Sequence, residues 1–185
     1  GRIPPSLKEE ILHYYELTSS LAEELLDWVE KHSPDDVSKH YSEPLSNMIK
    51  NTPNTLLRVL HYPPFEGTEE AGAIRAAAHE DINLLTILPA ANEPGLQVQG
   101  TDDKWVDVPA DFGHLIINIG DMLQEASGGY FPSTSHRVIN PTGNSKSKSR
   151  ISLPLFLHPR SEVVLLEKHI QASYLLERLK ELGVK

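Results

Sequence analysis

The sequence predicts a mainly β core, an antiparallel sandwich or barrel, held between two helical flanks. Three observations predict it: an apolar pattern at helical spacing near the N-terminus, a succession of short β-rich runs broken by Pro, Gly and Asn from Asn54 onward, and a return to helical spacing near the C-terminus. No long helix separates the runs, which argues against alternating strand–helix units and for antiparallel packing.

Leu7, Ile11, Tyr14, Leu21, Leu25 and Trp28 recur at helical spacing and predict one apolar stripe. Ser6 with Glu9 three residues on reads as a capping box, with Pro4-Pro5 just outside it. From Lys31 to Pro53 the chain is polar and proline-broken, and reads as loop with one short helix. Strands are expected over Thr55–Tyr62, closed by Pro63-Pro64, and over Ile82–Leu88, His114–Asn118, Thr134–Ile139 and Ile151–Leu157. Gly95–Gln99 and Trp105–Val108 flank Gly100-Thr-Asp-Asp103, a hairpin signal. Tyr174, Leu175, Leu179 and Leu182 form a last helical stripe, with Gly183 placed as its C-terminal cap. The expected organisation is therefore a helical region over 1–53, a β domain over 54–160 and a helical tail over 161–185.

Composition narrows the function. Of 185 residues, 39% are hydrophobic and 23% charged, as in an ordinary globular chain, and no apolar run is long enough for a membrane helix. Lys+Arg 17 against Asp+Glu 26 leaves a net charge of −9 with no basic cluster, a poor match for nucleic acid. With no cysteine, any metal must sit on His, Asp and Glu, and the absence of disulfides and of an apolar leader makes the cytoplasm the expected location.

Nine histidines occupy positions 13, 32, 40, 61, 79, 114, 136, 158 and 169. His79-Glu80-Asp81 places a His and an Asp two apart at the mouth of an expected strand, on one face. Alone the triplet is weak, since chance supplies about 0.4 of them at this composition. His136, in Ser-Thr-Ser-His-Arg-Val, is a second candidate ligand, or a strand histidine satisfied by a carbonyl. Two imidazoles and one carboxylate form a facial triad for Fe(II). Arg150-Ile151-Ser152 puts a guanidinium and a hydroxyl on one strand face, a match for a carboxylate, or else an arginine reaching solvent at a strand end.

H-x-D, then His, then R-x-S, in this order, resembles the isopenicillin N synthase-like family of Fe(II)/2-oxoglutarate-dependent dioxygenases, in the form found in bacteria. The supporting runs are Arg58-Val-Leu-His-Tyr-Pro-Pro64, His79–Leu88, Gly95-Leu-Gln-Val-Gln99, Asn118-Ile-Gly-Asp-Met-Leu123, Ser135–Pro141 and Arg150–Phe156. The resemblance is dense over about residues 54–160 and implies a double-stranded β-helix, or jelly roll. It implies that His79, Asp81 and His136 ligate iron, that Arg150 and Ser152 hold the distal carboxylate of 2-oxoglutarate, and that Tyr62 assists them. Phe156 shares the parity of Arg150 and Ser152 and is expected on the substrate-pocket wall, its alternative being an ordinary core residue. The implied activity is oxidation, by default hydroxylation, of a small molecule with O2 as co-substrate and succinate as by-product. The alternatives are an oxidase of the isopenicillin N synthase kind that uses no 2-oxoglutarate, with Arg150 gripping substrate, and a non-catalytic sensor.

Five departures from the family pattern stand out. Glu80 replaces a small residue but points away from the ligands, and Leu60 stands where plant members carry an asparagine. The segment from His136 to Arg150 is long and contains Lys146 and Lys148, which reads as an extended hairpin loop. The family also carries a further domain's worth of helices and strands ahead of the first helix read here, and the run Glu167-Lys168-His169 reaches the last helix early. The expectation is a longer protein or a short form with one exposed sheet edge.

Overall fold

A computed structural model describes residues 4–66, 73–166 and 169–183. The first helix, α1, runs Pro5–Lys31. Pro4 occupies its N-cap and Pro5 its first turn, so the missing proline N–H falls where no partner is needed; no side chain caps this end, and the expected Ser6/Glu9 capping box does not form. Its buried line is Thr18, Ala22 and Leu26, flanked by Tyr15, Leu21, Leu25 and Val29. The packed face is thus shifted from the expected stripe: Leu7 is exposed and Trp28 is 68% exposed, while Tyr14, Leu21 and Leu25 are half-buried beside the buried line.

Between Lys31 and Pro53 the single expected helix is two, α2 (Asp35–Ser38) and α3 (Leu45–Met48), each begun by a proline at its N-cap. Leu45, Met48 and Ile49 are buried, so this polar-looking segment supplies core.

Two four-stranded antiparallel sheets follow. The first has the order β1 (Leu56–Leu57), β10 (Leu155–Leu157), β4 (Leu85–Pro89), β7 (Leu115–Ile119). The second runs β3 (Ala76–His79), β8 (His136–Val138), β5 (Leu96–Gln99), β6 (Trp105–Asp107). Two further ribbons pair β2 (Leu60–Tyr62) with β9 (Arg150–Ser152) and β11 (Val164–Leu166) with β12 (His169–Ile170). The hairpin expected around Gly100–Asp103 forms, with Val98 opposite Val106. Helix α4 (Asp121–Ala126) follows β7, and α5 (Gln171–Glu181) ends with Gly183 at φ 74°, the left-handed cap expected there. Of the run Glu167-Lys168-His169, the first two lie outside the described residues.

Two expected strands are each broken in two. Thr55–Tyr62 divides into β1 and β2, and Ile151–Leu157 into β9 and β10 at Pro154, whose missing N–H interrupts a ladder. In each case the halves join different sheets, which bends the layers around a cavity. The first sheet alternates cleanly: Leu85, Ile87, Leu155 and Leu157 pack against Ala22, Leu26, Leu45 and Met48 of the helical layer. Thr86, Leu88 and Phe156, one residue out of step, face the cavity between the sheets.

Candidate active site

His79 closes β3 and is paired directly opposite His136 at the start of β8. Asp81, expected with His79 at the mouth of the strand over Ile82–Leu88, lies in the turn between β3 and β4, which begins only at Leu85. That turn is clamped by the entry to α4: Gly120 N–H donates to Leu84 O (3.1 Å), Asp121 N–H to Asp81 O (2.9 Å) and Met122 N–H to Asn83 O (3.1 Å). Glycine is required at 120 by space alone. A Cβ there would lie 2.8 Å from Asp81 O and closer still to the backbone and side-chain oxygens of Asn83.

The three side chains converge. His136 Nε2 is 3.6 Å and His79 Nε2 3.9 Å from Asp81 Oδ1, and among the described residues this is the group of His and carboxylate atoms drawn tightly enough, within 4.8 Å of one another, to hold a metal ion. Each ring is aimed by its other nitrogen: His79 Nδ1–H donates to Ala77 O (2.7 Å) and His136 Nδ1–H to Thr134 O (3.0 Å). A carbonyl only accepts, so each Nδ1 is the donor and each Nε2, the nitrogen left for a metal, faces Asp81. Asp81 is 6% exposed, and its Oδ2 accepts from Thr86 Oγ1 (2.6 Å) and Asn118 Nδ2 (3.0 Å). Thr86 in turn accepts from Asn83 Nδ2 (2.8 Å). Oδ1 is left turned toward the imidazoles, the arrangement of a one-oxygen ligand.

Thr86, Asn118 and Asn83 were not singled out from the sequence. A signal was there: Leu-Leu-Thr-Ile-Leu and Leu-Ile-Ile-Asn-Ile each embed one polar residue in an apolar strand, and Thr86 lies opposite Asn118 in the ladder.

Across the cavity stand Tyr62, Arg150 and Ser152, with Tyr62 opposite Arg150 and Leu60 opposite Ser152 in the β2–β9 ribbon. Arg150 is 2% exposed, which sets aside the alternative of a strand-end arginine in solvent. Its Nε–H donates to Glu93 O (3.2 Å), its guanidinium lies 5.6 Å from the Tyr62 ring centre, and its Nη1 is buried with no hydrogen-bond partner. Burial pulls the Arg150 pKa down from its usual value. A buried cation with an orphaned donor is costly and is suited to an incoming anion. Phe156 lines the same cavity, although the break at Pro154 voids the parity argument that put it there. Leu88, Leu96, Val98, Ile116 and Val138 make the remaining wall of this open cavity apolar.

Comparison with known proteins decides the family: residues 53–159 match the 2OG-Fe(II) oxygenase superfamily. The chain belongs to that superfamily. The isopenicillin N synthase-like resemblance drawn from the motifs agrees with it, as does the jelly-roll core. A Shewanella oneidensis crystal structure assigned as an oxygenase is 67% identical, with a TM-score of 0.90, covering 100% of this chain and 68% of that one. Gibberellin 2-beta-dioxygenase 3 of Arabidopsis thaliana is 31% identical over 157 residues, 84% of this chain and 44% of the relative. JOX2, crystallised with 2OG, Fe and JA, is 29% identical with a TM-score of 0.67 over 90% of this chain and 46% of that one. The chain thus spans about half the length of the curated relatives it matches. No helix among the described residues is long and apolar enough to cross a membrane.

Outside the cavity, α5 is tied to α4 through Arg178, whose Nε lies 3.4 Å from Asp121 Oδ2. Burial raises the Asp121 carboxyl to about 7 in spite of that neighbour. This pair anchors α5 against the clamp that carries Asp81.

Proposed function

We propose that this chain is the catalytic domain of a non-haem Fe(II) oxygenase that uses 2-oxoglutarate and O2 to oxidise, by default hydroxylate, a small molecule. The observation that carries the reading is the convergence of His79 Nε2, His136 Nε2 and Asp81 Oδ1, every one of them turned inward by a hydrogen bond on its other atom. These three would hold the metal and leave open positions, as a facial triad does. The orphaned Nη1 of Arg150 fits the distal carboxylate of 2-oxoglutarate, with Ser152 and Tyr62 beside it.

When bound, Fe(II) supplies the centre at which O2 oxidatively decarboxylates 2-oxoglutarate to succinate and CO2 and a substrate C–H bond is oxidised. The protein's own residues do the rest. Arg150 and Ser152 anchor the anionic end of the co-substrate, so that its 2-oxo end is presented to the metal ligands. Thr86 and Asn118 hold the Asp81 carboxylate still. The apolar wall excludes water from the reacting atoms. Phe156 forms part of the surface against which substrate packs. Relatives named for gibberellin, or crystallised with JA, support a small-molecule substrate.

The test is an anaerobic titration with Fe(II) and then 2-oxoglutarate, reading the visible charge-transfer band of the chelate. The band should appear in the wild type and vanish in Asp81→Ala. Stoichiometric iron binding with no band at any 2-oxoglutarate concentration would instead make the chain an oxidase in which Arg150 grips substrate. No iron binding would end both readings.

A further inference from the structure

The long segment between His136 and Arg150, with its two lysines, has no part in the site described so far. It forms a 3-10 turn over Gly143–Ser147 and then delivers Lys148 and Ser149 into β9. Two of its side chains reach across to the loop before β5. Ser145 Oγ donates to Glu93 Oε2 (2.8 Å), and Lys148 Nζ lies 2.9 Å from Glu93 Oε1. The backbone carbonyl of the same Glu93 accepts from Arg150 Nε.

The residue before it completes the arrangement. Among the described residues β9 has a strand partner, β2, along one edge only. Along its other edge the Asn92 side chain takes a strand's place: Nδ2 donates to Ser149 O (2.9 Å) and Oδ1 accepts from Ile151 N–H (2.8 Å). The chain is thus gripped on both sides of Arg150 by one amide, while Glu93 grips its guanidinium by the main chain and the preceding loop by its carboxylate. With Nε committed to Glu93 O, the turn of the guanidinium is restrained and Nη1 is left buried without a partner.

We propose that Asn92 and Glu93, braced by Lys148 and Ser145, are positioning residues that orient Arg150 and set the affinity for the co-substrate carboxylate. This rests on the reading of Arg150 given above. The charges make the idea separable from simple electrostatics. Neutralising Glu93 by through-space effects alone would tighten binding of an anion, whereas loss of a brace weakens it.

The experiment is calorimetric titration of 2-oxoglutarate into Mn(II)-loaded protein under nitrogen, with metal affinity measured separately. Glu93→Gln, Lys148→Met and Asn92→Ala should each raise the 2-oxoglutarate Kd by between about threefold and tenfold, the worth of one aligned hydrogen bond. The Glu93→Gln/Lys148→Met double variant should be no weaker than the worse single one, since both break the same pair. Metal affinity should stay within about twofold, because the ligands are held by other elements. Lys146→Met is the charge control: its ammonium lies 6.0 Å from the Phe65 ring centre, whereas the ion pair to Glu93 is made by Lys148, and its Kd should move by less than about twofold. Asn92 and Lys148 are exposed, so their variants remain informative if Glu93→Gln does not fold. Unchanged or tighter binding in Glu93→Gln together with unchanged binding in Asn92→Ala overturns the proposal and leaves the function standing. A wild type that binds Mn(II) but no 2-oxoglutarate overturns both.

Discussion

Gly120→Ala is the sharpest single perturbation of the Asp81 turn. Gly120 has φ −96°, where alanine is at ease, so its requirement is steric. The added methyl would lie 2.8 Å from Asp81 O and nearer to two oxygens of Asn83, against an ordinary contact of about 3.4 Å. The α4 entry must then withdraw from the turn. Three backbone hydrogen bonds are at stake, from Gly120, Asp121 and Met122 to Leu84, Asp81 and Asn83. At about 0.5–1.5 kcal/mol each their loss comes to about 1.5–4.5 kcal/mol. Partial retention offset by overpacking strain of about 1–3 kcal/mol leaves a net cost of about 3–5 kcal/mol. For a chain of this length that lowers the melting temperature by about 6–20 °C. The assay is thermal unfolding of metal-free protein, paired with an Fe(II) titration. Gly100→Ala is the control: its methyl would meet the exposed carboxylate of Asp102, which pairs with Lys104 at the surface, at 3.0 Å, and its melting temperature should move by less than about 2 °C. A Gly120→Ala protein that melts with the wild type and binds Fe(II) equally well would refute the clamp.

Thr86→Val should lower metal affinity by about 10–100-fold, the usual cost of losing a partner behind a ligand, while Thr86→Ser retains it; an anaerobic Fe(II) titration with a competing chelator reads both. Arg150→Met should weaken 2-oxoglutarate binding by about 10–100-fold. The same variant should raise the stability of ligand-free protein by about 1 kcal/mol or more, because an orphaned buried charge is removed; chemical denaturation without 2-oxoglutarate checks it. Leu26→Ala, at a wholly buried position, should cost about 2–5 kcal/mol in the same assay. Trp28→Ala, two residues on and exposed, should stay within about 0.5 kcal/mol.

The helical contrast shows where reading the sequence goes astray. Leu7 and Trp28 fit the spacing of a buried stripe, yet the face that packs is centred on Thr18, Ala22 and Leu26. Periodicity gives a helix its period but only weakly its phase, which depends on the shape of the surface opposite. The strands show the same limit. Proline at 154 announces a break, but that β9 and β10 then enter different sheets follows from packing across the cavity.

What the sequence alone made legible is chemistry that is local or ordered along the chain: a β core with helical flanks, His79, Asp81 and His136 as candidate donors in a chain without cysteine, and the Arg150–Ser152 pair two residues apart on one strand. These are legible because residue type and alternation do not depend on partners far away. What only tertiary structure decided is orientation. The direction of each imidazole is set by the carbonyls of Ala77 and Thr134, the free oxygen of Asp81 by Thr86 and Asn118, and the plane of Arg150 by Glu93. A hydrogen bond aims its group only when the partner is in place. Asp81 and Asn118 are 37 residues apart, as Arg150 and Glu93 are 57, so those partners meet only after the sheets have closed.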